Sequence, residues 1–287
     1  MNTDQRTVVF TAVEDAVLDR ATRSFERAAE ALDLLRGEGI PLILCSSRTR
    51  AELELFQQDL RIRAPFVCED GGAIFIPRKY FSFPLSEAVA VGGYQVIELS
   101  APYAELAEAL RQAARREQVP VVGFDELSVD AVATEHKISL LEARLAKLRD
   151  YSEPFRILDP DPAARTRLFH RLQRGGFRCT PHGRFYHLTG NKDERQPFRK
   201  LKSLYRKAWG ELRTVGIGVR LAHLAFLREA DFPVVLPAGC QEETARLLGE
   251  LPAARLAGKA GPPGWNEVIV ELAGRRTLQA VARSLEG

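Results

Sequence analysis

The sequence predicts an α/β fold, a doubly wound and mainly parallel sheet with an inserted α+β module. Three observations predict it. Short apolar, β-branched runs alternate with helical periodicity at both ends of the chain, the rhythm of strand–helix–strand units. Between about residues 86 and 189 that rhythm gives way to isolated strands separated by long charged helices. Near Pro197 the first rhythm returns. The predicted division is therefore a core built from 1–85 and 190–287, with 86–189 inserted.

The elements follow in order. Thr7 to Val13 (TVVFTAV) reads as a buried parallel strand, and Ile40 to Cys45 (IPLILC) as a second. Between them Phe25, Ala28, Ala29, Leu32 and Leu35 mark one face of a helix, which Gly37 and Gly39 end. Thr49 is a fitting N-cap for the next helix, and Glu52, three residues on, completes a capping box. Phe66–Cys68 and Ala73–Ile76 read as strands around a Glu69-Asp70-Gly71-Gly72 turn. In the insertion, Tyr94–Leu99 and Val119–Phe124 are strand candidates, and Ser139–Leu148 and Ala163–Gln173 are helices. Thr214–Gly218 and Pro233–Leu236 are again buried strands. Pro252–Gly264 reads as a surface loop before a last strand and helix. Strand-to-helix loops of such a sheet gather at one edge, where ligands bind.

Composition excludes several classes. Hydrophobic residues make up 45% and charged residues 28% of the 287, an ordinary globular balance. A formal net charge of +3 gives no basic face for nucleic acid. No run approaches the ~20 apolar residues of a membrane span, and the first residues lack the pattern of a signal peptide. A cytoplasmic protein without membrane association is expected. Cys45, Cys68, Cys179 and Cys240 never fall at C-x-x-C spacing, so four reduced thiols are expected rather than a zinc site.

Several stretches follow a recurring set of motifs. Val8–Asp19 (VVFTAVEDAVLD) is similar to V-V-F-T-D-x-D-G-T-L-x-D, and Ile43–Glu52 (ILCSSRTRAE) to the second motif. Pro65–Pro77 (PFVCEDGGAIFIP) matches P-F-I-x-E-N-G-G-x-I-x-x-P. Tyr151–Phe155 (YSEPF), Gly183–His187 (GRFYH), Thr214–Asp231 and Gly261–Asn266 (GPPGWN) extend the likeness to about residue 275. In these stretches the chain resembles the mannosyl-3-phosphoglycerate phosphatases of the haloacid dehalogenase (HAD) superfamily, and the resemblance implies a HAD-like Rossmannoid core with a type IIB cap, and a magnesium-dependent phosphatase acting on a phosphorylated glycosyl-glycerate, a compatible-solute precursor.

The residues at the chemical positions depart from that pattern. A HAD phosphatase attacks phosphorus with an aspartate, and here that position is Ala12. The general acid/base, two residues on, is Glu14 instead of Asp. Asp15 stands for the permissive glycine and Ala16 for the hydroxyl residue. The phosphate-neutralising lysine aligns with Glu194, although Lys192 and Arg195 lie beside it. The two metal-binding acids of the fourth motif are Val219 and His223. Magnesium takes hard oxygen ligands, so three side-chain metal contacts are absent. No cofactor is expected, with magnesium required only if the chain is active.

What remains suits an anion. Ser46, Ser47 and Arg48 precede a helix start, a natural anion site, and Arg220 and His223 are candidates to join them. Packing of Ala12, Val219 and Leu221 as core filler is the plain alternative. In the cap region Tyr151, Ser152, Glu153, Arg184, Tyr186 and His187, with Glu69, Gly71 and Gly72, are candidates for a sugar-acid pocket. His136, His170 and His182 read as isolated. Three functions follow: a pseudo-phosphatase that binds or regulates through a phosphorylated sugar-acid ligand or a protein partner, a working phosphatase using a displaced Glu14, Asp15 or Asp193, and a scaffold with an empty pocket. Oligomeric state is left open.

Overall fold

The computed structural model describes residues 6–159, 161–191 and 193–285, so Lys192 lies outside the described residues. The core is a nine-stranded sheet. Its strands are β1 (Arg6–Ala12), β2 (Leu42–Cys45), β3 (Phe66–Cys68), β4 (Ala73–Pro77), β5 (Val89–Val91), β6 (Tyr94–Glu98), and, after the insertion, β11 (Leu212–Gly218), β12 (Phe232–Val235) and β13 (Arg255–Leu256). The order is β13-β12-β11-β1-β2-β3-β4-β6-β5. Pairing from β13 to β3 is parallel, and β4, β6 and β5 extend the sheet antiparallel. β1 and β11 are apolar and almost wholly buried, as central parallel strands covered on both faces must be.

The main sheet continues beyond residue 86. Tyr94–Glu98 pairs with β4 over five residues, so the main sheet runs on to Glu98. Nothing local in the sequence marks this, because the pairing is a property of β4 as much as of β6. The second sheet is wholly antiparallel, in the order β7-β8-β10-β9, with β7 Val121–Gly123, β8 Glu153–Ile157, β9 Phe177–His182 and β10 Phe185–Gly190. One apolar cluster joins this sheet to α3 (Tyr103–Glu117) and α6 (Pro162–Arg174). A smaller one, around Phe124, Val132 and Phe185, seats the hairpin of α4 (Val129–His136) and α5 (Leu140–Ala146).

Helices position the strand ends. α1 (Ala29–Gly37) packs on α10 (Gly261–Leu285), while α7 (Gln196–Trp209) and α8 (Leu224–Glu229) pack on β11. The predicted Pro252–Gly264 loop is shorter than expected, since β13 lies within it and α10 begins at Gly261. Trp265 of the Gly-Pro-Pro-Gly-Trp-Asn stretch is fully buried and donates to Thr11 Oγ1 at 3.0 Å, beside the end of β1. Asn266 accepts from the Ala31 N–H at 2.9 Å and so ties α10 to α1. A buried indole N–H needs such a partner. α2 (Arg50–Asp59) starts at the predicted Thr49–Glu52 capping box.

Candidate functional site

The ends of β1, β2 and β11 meet at one edge of the sheet, beneath the α4–α5 hairpin. Thr49 Oγ1 donates to the Leu145 carbonyl at 2.9 Å, fixing the hairpin to the start of α2. Ala12 is fully buried at the end of β1, paired in register with Cys45 of β2. Val219, one residue beyond β11, is 1% exposed.

The charged groups at this edge are paired with one another. The Glu14 carboxylate receives the Arg48 guanidinium and, at 3.5 Å, the Ser46 hydroxyl. Arg48 also bonds Glu52. Burial opposes ionisation of Glu14, but Arg48 outweighs it and holds the carboxyl below its ordinary value. Asp15, held at a φ of +57°, takes Arg220 and, at 3.0 Å, Arg20. Ser46 and Arg48 thus meet at Glu14, and Arg220 meets Asp15 one residue along, so the partners of all three are the protein's own carboxylates. Ser47 offers its carbonyl to Arg149 at 3.0 Å.

His223 does not take the place of a metal-binding acid. Its Nδ1 accepts the backbone N–H groups of Val219 at 3.0 Å and Arg220 at 3.1 Å. Burial and the neighbouring Arg220 charge push its pKa down to about 4, so the ring is neutral and Nδ1 is committed. Ala12 and Val219 supply only carbon. Magnesium wants several oxygen ligands in near-octahedral array, and the donors at these positions do not fit it. Glu194 is half-buried, 3.0 Å from Arg178. Arg195 is turned to Asp193 and Glu229, so among the described residues neither stands in for the lysine. Asp193 bonds Arg199 at 2.8 Å.

The candidate cap residues divide into three groups. Tyr151 and Ser152 form a clasp with Glu69 of the core turn. The wholly buried Glu69 carboxylate accepts the N–H of Asp150 at 3.0 Å, the N–H of Tyr151 at 3.1 Å and the Ser152 hydroxyl at 2.7 Å. Gly72 belongs to the same clasp, since a Cβ there would lie 2.4 Å from Tyr151 Cβ. Gly71 has a φ of +81°, a conformation open to glycine. These contacts couple cap to core.

Glu153, Arg184 and Tyr186 take no part in that clasp. Glu153 sits inside the second sheet's own layer, where it accepts from Asp125 N at 3.3 Å; burial pushes its pKa up to about 7, against the opposing hydrogen bond from Tyr103. Arg184 is exposed and reaches the Glu135 carbonyl. Tyr186 packs edge-on to Phe169 in the α3–α6 cluster, because successive residues of a strand point to opposite faces. His187, its neighbour, points the other way and meets Asp70, with Nδ1 to Oδ2 at 2.7 Å.

Two groups escape the sequence reading. Arg149 bonds the Ser47 carbonyl and Ser152 Oγ and approaches Glu69, at 6% side-chain exposure. His182 is not isolated. It stacks on His187 with ring centroids 3.9 Å apart, and its Nε2 lies 3.4 Å from Asp70 Oδ1. The available signal was Asp70 itself, which stands where the resembling family carries Asn in E-N-G-G.

Comparison with known proteins bears on this geometry. No family model matches the chain. It is 34% identical over 270 residues to a glucosyl-3-phosphoglycerate/mannosyl-3-phosphoglycerate phosphatase of Methanococcoides burtonii, covering 93% of this chain and 97% of that one. The chain belongs to the mannosyl-3-phosphoglycerate phosphatase family. Among solved structures it is similar to a haloacid dehalogenase-like hydrolase from Bacteroides thetaiotaomicron, with a TM-score of 0.67 at 15% identity, covering 93% of this chain and 100% of that one. It is also similar to a HAD subclass IIB sugar phosphatase, with a TM-score of 0.58 at 14% identity, covering 88% of this chain and 93% of that one. The fold is thus HAD-like with a type IIB cap. No described helix is long and apolar enough to cross a membrane.

Proposed function

We propose that this family member binds a phosphorylated sugar acid between core and cap and acts through binding, without aspartyl-phosphate turnover. What supports a non-catalytic role is the buried methyl group of Ala12 at the end of β1. It offers no nucleophile, and losing a covalent nucleophile costs on the order of 10⁶ in turnover in another hydrolase. Val219 and the committed Nδ1 of His223 add no metal ligand in compensation. A displaced carboxylate is a poor substitute. Glu14 is engaged by Arg48, Asp15 by Arg20 and Arg220, and Asp193 by Arg199.

The ligand class follows from the relatives, named for glucosyl- and mannosyl-3-phosphoglycerate. A phosphate would compete with Glu14 for Arg48 and Ser46. Calorimetric titration with mannosyl-3-phosphoglycerate in chelator tests this. Saturable binding is expected, tightened about tenfold in Glu14→Gln, which frees the guanidinium. Absence of binding in both proteins contradicts a ligand-binding role, and magnesium-dependent release of phosphate contradicts a non-catalytic one.

A further inference from the structure

The core–cap junction contains a cluster that the phosphatase chemistry does not use. Asp70, His182 and His187 each present one donor atom, and these atoms all lie within 4.8 Å of one another. Asp70 comes from the core turn after β3. His182 ends β9, and His187 lies in β10, the other arm of the same hairpin. We infer that Asp70, His182 and His187 form a binding site for a divalent transition-metal ion, of which Zn²⁺ is the type, clamping cap to core.

The donor set and spacing both point there. Two imidazoles and one carboxylate suit zinc-like ions, whereas magnesium prefers oxygen alone. Ligands about 2.0–2.1 Å from a tetrahedral zinc stand roughly 3.3 Å from each other. His187 Nδ1 lies 2.7 Å from Asp70 Oδ2 and His182 Nε2 3.4 Å from Asp70 Oδ1, so both imidazoles face the one carboxylate at close to that spacing. Three protein ligands leave one position for water or an anionic oxygen.

The backbone is built to hold Asp70 in place. Glu69, Asp70 and Gly71 all have positive φ, at 48°, 55° and 81°. Two consecutive non-glycine residues in this region are costly, and the turn is held by the Glu69 clasp and by hydrogen bonds from Glu69 N to the Arg48 carbonyl and from Asp70 N to the Ser46 carbonyl. These bonds set Asp70 directly beside the Ser46 loop. Arg220 and Arg149, the cations nearby, are compensated by Asp15 and Glu69. The site is distinct from the degenerate magnesium positions and does not depend on whether phosphate turnover is retained.

The test uses the full chain, stripped with chelator and titrated with Co²⁺ and Zn²⁺. Expected is one Co²⁺ per chain with visible d–d bands of low-coordinate geometry, displaced by one equivalent of Zn²⁺. Zn²⁺ at 100 times its Kd should raise the unfolding midpoint, whereas the same concentration of Mg²⁺ should not. His187→Ala and Asp70→Asn should weaken binding at least 100-fold. His182→Gln, at a partly exposed position, serves as the variant least exposed to misfolding and should weaken it at least tenfold, with circular dichroism unchanged. Absence of a one-to-one complex, or a complex unaltered by His182→Gln, overturns the assignment.

Discussion

The two sides of the cleft have been treated differently. At the strand ends of β1 and β11, where the chemistry of this family is expected, the side chains are Ala12 and Val219, buried as filler. His223 has turned inward to cap two backbone N–H groups. A few residues away, at the core–cap junction, Glu69 satisfies three donors and Gly72 still admits Tyr151. Catalytic side chains at strand ends do little for folding, so they can be replaced by apolar residues without disturbing the sheet. The clasp is a buried polar network, and each member depends on the others.

If that contrast is right, damage should be greatest at the clasp. Glu69→Ala leaves two backbone N–H groups, one hydroxyl and the Arg149 charge without their acceptor, and should cost about 3–5 kcal/mol in urea unfolding. A loss under ~1 kcal/mol would mean the clasp is slack. Ala12→Asp should bury a carboxylate close to Glu14 and lower stability by about 2–4 kcal/mol. It should not restore turnover, because Val219 and His223 still provide no magnesium ligand; a stable variant with strong phosphatase activity would erase the distinction drawn between the two sides. Gly72→Ala should cost about 1–3 kcal/mol through the contact with Tyr151, measured as a fall in unfolding midpoint.

The smallest effect is one of pH. His223 has a folded pKa of about 4, below its unfolded value near 6.5. The unfolded chain therefore takes up the proton first, and the contribution of the neutral ring is full above about pH 6.5 and fades as pH falls towards 4. His223 as a residue is only half-buried, so about 1–2 kcal/mol is expected across that window. His223→Asp, which can still accept the two N–H groups, should remove most of this loss in thermal melts between pH 4 and 7.

Much of this was legible in the sequence, for local reasons. The apolar runs gave β1, β2, β3, β11 and β12, and the Thr49–Glu52 pair gave the start of α2. The antiparallel extension by β5 and β6 was not, because which sheet Tyr94–Glu98 joins depends on β4, a long-range partner. At the site, the losses at Ala12, Val219 and Glu194 were legible as single-residue departures within intact flanks. The pairing of Glu14 with Arg48, and of Asp15 with Arg220, was not, since it joins residues 34 and 205 positions apart. Strand alternation sets Tyr186 opposite His187, and that alternation is legible in the sequence. His182 carries no such local signal, because the β9–β10 hairpin alone brings it onto His187.

The most direct test of a silent strand edge is phosphate release. The purified chain, at a concentration close to that of mannosyl-3-phosphoglycerate, is incubated with magnesium beside a matched sample containing chelator. The account predicts that the two samples release no more phosphate than substrate alone. Release that requires magnesium and stops with chelator would contradict it, and would mean that Glu14 or Asp15 leaves its arginine partner to perform the chemistry.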